Sequence, residues 1–147
     1  MVTSNKRWVG NELVDLIASH HLVLDGTDNF LSRHEINRAC HAAKVPLLSA
    51  AVTQFSGQLS LFDYAPDSPC YACLYQRAGE DQNNCIENGV LGPTASIVAS
   101  MQALEACKYL SGMRPSVLHT LLTLDLKQLV WHKARIRHDP ACAICVV

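Results

Sequence analysis

Residues 21–29 read HLVLDGTDN, an apolar run that ends in an acid and is followed at once by a tight turn. A continuous apolar run of this kind is typical of a strand buried in a parallel sheet. A helix is predicted over residues 30–43, directly after the turn. In open α/β sheets, ligands bind where strands end and helices begin. The stretch therefore predicts an α/β fold with a candidate site near Asp25 and Asp28.

The remaining sequence alternates short helical and strand patterns. Helices are predicted over residues 11–19 and from Gly92-Pro93 to a stop at Gly112. Strands are predicted over 46–53, 58–64, 117–126 and 128–137, the last two as a hairpin around Lys127. Residues 65–88 read as a long, polar, irregular loop. This order predicts an α/β domain with a mixed sheet, part of it antiparallel.

Periodicity also predicts which side chains are buried. Ile97, Met101 and Leu104 recur at helical spacing and are expected on one apolar face of the last helix. Residues 22–24 are expected to be covered on both faces of the sheet. Cys40 and Cys107 lie among apolar neighbours in predicted helices, so both are expected in the core.

The composition fits one folded domain and argues against several classes of protein. The 147 residues are 49% hydrophobic and 17% charged, which is unlike a disordered chain. Twelve Lys and Arg residues balance 13 Asp and Glu residues, without the basic excess of a nucleic-acid-binding protein. The longest apolar stretch, 45–52, is too short for a membrane span. We expect a cytoplasmic protein with neither nucleic acid nor a membrane as its partner.

Four of the seven cysteines form two Cys-x-x-Cys pairs, Cys70 with Cys73 and Cys142 with Cys145. Two residues between thiolates let one turn of backbone present both sulfurs to a single ion, and two such turns complete a tetrahedron. Soft thiolate ligands favour zinc, and a closed four-thiolate site leaves no position for a reacting water. The pairs therefore predict a structural zinc site. A thiol-redox pair or ordinary buried cysteines are the alternatives.

Cys85 differs from the paired cysteines because it lies in the polar loop among asparagine and glutamate residues. An exposed thiol is a candidate nucleophile. No lysine or histidine adjoins Cys85 to activate it, so the residues alone favour an ordinary thiol over a catalytic one.

The acids after the first strand have two interpretations. A carboxylate at a strand end can hold a magnesium ion that carries triphosphate oxygens. Alternatively, Asp28 or Asn29 is only the N-cap of the next helix, and Asp25 binds the backbone of the turn. Spacing alone favours this second interpretation. Arg33, one turn into the helix, is expected to face either phosphate or solvent.

Six motifs, taken in order, resemble those of the ThiF/MoeB/HesA adenylyltransferases, the bacterial relatives of ubiquitin-activating enzymes. They are LVLDGTDN at 22–29 with Arg33, CYAC at 70–73, NC at 84–85, GVLGP at 89–93, QALEA at 102–106 and CAIC at 142–145. The resemblance runs over residues 11–145, which is nearly the whole chain. No glycine cluster of the phosphate-binding kind accompanies these motifs.

The resemblance implies a partial Rossmann-like, ThiF-type domain. It also implies an ATP-dependent adenylyltransferase that activates the C-terminal glycine of a ubiquitin-like sulfur-carrier protein, in molybdopterin or thiamine biosynthesis. By motif, Asp28 and Asn29 would bind Mg-ATP, and the four paired cysteines would hold the structural zinc. Cys85 matches a cysteine that in some members forms a persulfide-linked adduct with the carrier.

The chain departs from the family at its start. Members begin with a nucleotide-binding half that carries a glycine-rich loop, a ribose-binding acid and phosphate-binding Arg and Lys residues, and nothing similar precedes Asn11. We therefore expect residues 1–147 to form the C-terminal part of such a domain, with little ATP–pyrophosphate exchange when alone. We expect a homodimer or association with the missing N-terminal half. The alternative is a non-catalytic, zinc-stapled module that binds a ubiquitin-like protein or a partner subunit.

Overall fold

A five-stranded sheet with helices packed against it makes up the fold of the computed structural model, which describes residues 1–76 and 89–145. The elements in chain order are α1 (Gly10–Ala18), β1 (Val23–Asp25), α2 (Phe30–Ala43), β2 (Leu47–Thr53), β3 (Ser56–Phe62), α3 (Tyr71–Leu74), α4 (Gly92–Leu110), β4 (Thr120–Asp125) and β5 (Val130–Arg135). None of the helices in these ranges has both the length and the hydropathy needed to cross a membrane.

The strands lie in the order β1-β2-β3-β4-β5. β1 is parallel to β2, and the other three neighbouring pairs are antiparallel. The predicted α/β class with a mixed sheet is therefore confirmed. The pairing of β1 with β2 places Asp25 opposite Ser49, so both strands end at the same edge of the sheet.

The core lies on both faces of the sheet. Leu47 belongs to a buried cluster with Ile17 of α1 and Cys40 of α2 on one face. Its neighbour Leu48 belongs to a second cluster, with Val98 of α4, on the other. Because successive strand residues point to opposite faces, β2 is covered on both sides, which explains its continuous apolar sequence.

The predicted apolar face of α4 is wrong for Ile97 and Leu104, although Met101 packs against the core as predicted. Ile97 and Leu104 are 40% and 58% exposed, whereas Val98 and Gln102 face the sheet. Gln102 sets this orientation because its Nε2 donates to the backbone carbonyls of Asp25 (3.0 Å) and of Leu48 (2.9 Å). Two hydrogen bonds to buried carbonyls favour this face of the helix over the more apolar one.

Three smaller expectations also need correction. Cys107 is exposed on α4, although Cys40 is buried as predicted. Leu24 is 49% exposed, because β1 is the edge strand of the sheet. The described part of the loop predicted over 65–88 contains the short helix α3, which is too short to give a periodic sequence signal. Residues 77–88 of that loop lie outside the described residues.

Candidate metal centre and strand-end site

The thiols of the two Cys-x-x-Cys pairs converge beside α3. The Sγ–Sγ distance is 3.7 Å from Cys70 to Cys142, 3.6 Å from Cys73 to Cys145 and 4.0 Å from Cys70 to Cys73. All four Sγ atoms lie within 4.8 Å of one another. A tetrahedral ion with Zn–S bonds of about 2.3 Å places its sulfurs about 3.8 Å apart. The cluster therefore has the size of a four-thiolate metal centre.

A local backbone turn orients the thiols of each pair toward the other pair. Cys70 is the N-cap of α3, and its N–H donates to Cys73 Sγ at 3.4 Å. On the other side, the Asp139 carbonyl accepts from the N–H of Cys142 at 3.0 Å, which closes the turn that carries the second pair. The Gln76 side chain donates to Asp139 Oδ2 at 2.6 Å and joins the two sides. The sequence thus folds into two turns that face each other.

The thiols differ in how readily they ionise. Burial raises the pKa of Cys70 to about 11, and burial together with its thiol neighbours raises the pKa of Cys145. The pKa of Cys142 is lowered: burial opposes ionisation, but the backbone N–H groups of Ile144 and Cys145 stabilise the thiolate. A bound cation stabilises all the thiolates together, because metal ligation displaces their protons.

Asp25 fixes the turn at the end of β1. Its buried carboxylate accepts hydrogen bonds from the N–H and the hydroxyl of Thr27, both at 2.8 Å through Oδ1. Ser49 Oγ on the neighbouring strand donates to the other oxygen at 3.3 Å. Asp25 therefore has the backbone-binding role that spacing alone favours.

Asn29, rather than Asp28, caps α2. Asn29 Oδ1 accepts from the N–H of Ser32 at 2.8 Å, and its Nδ2 donates to Asp28 Oδ1 at 3.1 Å. The Asp28 side chain is exposed at the edge of the cavity described below. Of the two acids in this turn, Asp28 is therefore the one whose carboxylate is available to a ligand.

Arg33 does not face solvent: it borders the cavity described below, and its guanidinium is hydrogen-bonded to the backbone of the turn. It is only 7% exposed, and its Nε and Nη2 donate to the carbonyl of Thr27 at 3.0 and 2.5 Å. The ring of Phe30 lies 5.8 Å from the guanidinium carbon. The sharp turn leaves the Thr27 carbonyl pointing at α2, so a buried donor there stabilises the turn.

A cavity of about 240 Å³ opens where β1 and β2 end. The polar residues that line it are Thr27, Asp28, Arg33 and Gln102. Its apolar walls are formed by small residues of β2 and α4, namely Ala50, Ala51, Val52, Ala95, Val98 and Ala99. Small side chains leave room for an extended chain or a nucleotide to lie close to the backbone.

Cys85, the predicted reactive thiol, lies outside the described residues. Gln102 borders the cavity and joins α4 to both parallel strands, a role that sequence reasoning missed. A glutamine between the apolar residues Met101 and Ala103 was the available signal, because a buried amide must find hydrogen-bond partners.

Comparison with known proteins gives a consistent match. The model of the ThiF family matches residues 1–144. The molybdopterin-synthase adenylyltransferase of Escherichia coli (strain K12) is 39% identical over 134 residues, covering 91% of this chain and 54% of that protein. The sulfur carrier protein ThiS adenylyltransferase of the same organism is 37% identical over 140 residues, covering 95% and 55%. The chain thus spans about half the length of these relatives.

Solved structures show the same fold. The crystal structure of E. coli MccB matches with a TM-score of 0.71 and 18% sequence identity, over 92% of this chain and 43% of that one. The architecture is therefore shared at low sequence identity.

Proposed function

The chain belongs to the ThiF family, and we propose that it is the C-terminal part of an ATP-dependent adenylyltransferase domain. Its substrate would be the C-terminal glycine of a ubiquitin-like sulfur-carrier protein, in molybdopterin or thiamine biosynthesis. The observation that carries this proposal is the identity of 37–39% to adenylyltransferases of both kinds, over more than nine-tenths of the chain. Such enzymes would work in the cytoplasm.

Asp28 is the group that we propose for Mg-ATP. Its carboxylate borders the cavity at the strand ends. Asp25 and Arg33 lie nearby, but both are hydrogen-bonded to the backbone of Thr27 in the turn. A magnesium ion held there would screen the triphosphate and stabilise the charge that develops as pyrophosphate leaves. Asn29 supports this site from beside it, because its Nδ2 holds one Asp28 oxygen while its Oδ1 caps α2.

Structural zinc is the metal that we propose for the thiol cluster. Four cysteine sulfurs at near-tetrahedral spacing favour zinc over the harder magnesium and calcium ions. The ion would be held by Cys70, Cys73, Cys142 and Cys145. Its contribution would be to the fold rather than to the reaction, since four protein ligands leave no open position.

A second component is proposed for the nucleotide site. Leu24 on edge strand β1 and Leu104 on α4 are 49% and 58% exposed, which leaves apolar surface uncovered. Together with a match to only about half of each relative, this supports assembly with a nucleotide-binding half or as a homodimer. Cys85 stays a predicted site of covalent attachment to the carrier.

The test is ATP–pyrophosphate exchange with a sulfur carrier, measured for the chain alone and with the N-terminal half of the E. coli relative added. We expect little exchange from the chain alone and clear exchange from the mixture. In the mixture, Asp28→Asn should lower exchange about 100-fold or more, as removal of one transition-state electrostatic contact does.

The control is Asp15→Asn, an exposed carboxylate on α1 that should leave exchange unchanged. Full exchange by the Asp28→Asn variant would contradict the role of Asp28. Carrier binding without exchange in every mixture would instead support the non-catalytic binding module.

A further inference from the structure

Asn37 of α2 is a fully buried polar side chain next to the thiol cluster. Its Oδ1 accepts from the Tyr64 hydroxyl at 3.1 Å and from the backbone N–H of Tyr71 at 3.0 Å. Its Nδ2 donates to Cys70 Sγ at 3.6 Å. One amide therefore links α2, the segment after β3 and the first cysteine pair.

The neighbours of Asn37 determine which way its amide points. A backbone N–H can only donate, so the amide atom that faces Tyr71 must be the oxygen. The NH₂ group then faces the sulfur of Cys70. The N–H···S contact is thus set by the backbone of α3, the element that carries the first cysteine pair.

We propose that Asn37 is a positioning residue for the metal centre and that its N–H···S hydrogen bond holds the Cys70 thiolate in place for zinc. This inference rests on the zinc site proposed above. Four thiolates around a divalent ion carry a net charge of about −2. Such charge in a buried site needs N–H donors, because protein replaces the water that would otherwise solvate it.

The fold supplies few such donors to these sulfurs. Among the residues of 1–76 and 89–145, Asn37 is the one whose side chain, apart from the cysteines' own, donates to a sulfur of the cluster; the backbone N–H groups of Ile144 and Cys145 serve Cys142. The backbone N–H of Cys70 serves Cys73 Sγ. Groups that orient metal ligands in this way typically change metal affinity about 10–100-fold when removed.

Two variants separate this role from simple packing. Asn37→Leu keeps a similar volume but removes the donor, together with the oxygen that accepts from the Tyr64 hydroxyl and the Tyr71 N–H. Tyr64→Phe removes a different hydrogen bond of the same amide and leaves the N–H···S contact in place. Zinc affinity of the purified 147-residue chain is measured by competition with a chelator. We expect Asn37→Leu to bind zinc about 10–100-fold more weakly and Tyr64→Phe to match the wild type.

Cobalt-loaded protein gives a readout that packing alone would not move. Loss of an N–H···S bond raises the energy of the sulfur lone pairs, so the sulfur-to-cobalt charge-transfer bands of Asn37→Leu should shift to lower energy. Those of Tyr64→Phe should not shift. Unshifted bands together with wild-type zinc affinity in Asn37→Leu, or equal losses of affinity in both variants, would overturn the role of Asn37.

The wild type provides a test that does not depend on a variant that folds. In ¹¹³Cd-loaded protein, one side-chain amide proton of Asn37 should show scalar coupling to the metal through the sulfur. A fully loaded sample without that coupling would refute the hydrogen bond. Wild-type protein that takes up no metal would instead refute the zinc site, and with it this inference.

Discussion

Three neighbouring side chains in the turn after β1 have different partners. Asp25 is enclosed by Thr27 and Ser49, Asn29 caps α2, and Asp28 stays at the edge of the cavity. The turn and its acids can be identified from the sequence, but the sequence does not show which of the two carboxylates is hydrogen-bonded to the backbone. Burial determines the answer: Asp25 ends the strand inside the protein, and a buried carboxylate must find hydrogen-bond donors there.

Asp63 and His119 form a half-buried pair, with 2.7 Å between Oδ1 and Nε2. Burial opposes ionisation of Asp63, but hydrogen bonds from His119 and from the N–H of Ala65 outweigh it and lower the pKa of the carboxyl. A lowered carboxyl pKa contributes stability above its unfolded value of about 3.9, and this is lost as pH falls through the folded pKa.

We therefore expect Asp63→Asn to be less stable at pH 7, by less than about 1 kcal/mol. The variant should also lose less stability than the wild type on acidification, because it lacks the carboxylate that protonation would remove. Urea unfolding between pH 3 and pH 7 measures both effects, with Asp15→Asn on α1 as the exposed control. Parallel pH curves for Asp63→Asn and the wild type would show that the pair contributes nothing.

At the scale of elements, the strands were more predictable than the faces of the helices. Continuous apolar runs identify β1 and β2, but only β2 is covered on both faces, because Leu24 of edge strand β1 is exposed. The face of α4 was mispredicted because the helix buries polar side chains. Gln102 binds two strand carbonyls, and Glu105 accepts from the N–H of Ser116 at 2.6 Å. These hydrogen-bond partners lie in other segments of the chain, so they cannot be predicted from the periodicity of the helix sequence.

The contact of α4 with β3 depends on Gly57. A Cβ at this position would lie 2.4 Å from Val98 Cγ2. We expect Gly57→Ala to lower the free energy of unfolding by about 1–3 kcal/mol, since overpacking forces the helix away from the sheet. Urea denaturation provides the measurement.

Gly92→Ala is the matched control, because a Cβ there meets no atom within 4 Å. It should be neutral or slightly stabilising. The double variant Gly57→Ala with Val98→Ala should recover part of the free energy of unfolding that Gly57→Ala loses, because the shorter side chain makes room for the new Cβ. Equal stability of Gly57→Ala and the wild type would mean that the helix can move without cost.

At the scale of the whole molecule, two cysteine pairs at opposite ends of a long segment converge as their spacing predicts. The ligand types and the two-residue spacers were enough for that prediction, although 68 residues separate Cys73 from Cys142. The contacts around the cluster, such as Asn37 and Gln76, were not predictable, because no local pattern marks a residue that supports a ligand from another element.

Metal removal should destabilise the whole domain. We expect a chelator to lower the Tm by at least about 4 °C, the size of shift that roughly 1 kcal/mol produces in a domain of this length. Zinc, but not magnesium, should restore the Tm, because thiolates bind magnesium poorly. Differential scanning calorimetry of reduced protein measures both changes.

Cysteine variants provide the comparison. Cys142→Ser should lose the zinc-dependent rise in Tm, whereas Cys107→Ser, at an exposed cysteine outside the cluster, should keep it. A Tm that is unaffected by chelator in the wild type would contradict a structural metal.

The position of the cysteine pairs also gives the chain an unusual connectivity. With a metal bridging Cys73 and Cys142, the segment that holds α4, β4 and β5 becomes a closed ring of covalent and coordinate bonds. A single proteolytic nick in the connection between α4 and β4 would open that ring without freeing either fragment. The two pieces would travel together on a native gel and separate only when the metal is withdrawn and the sheet unfolds.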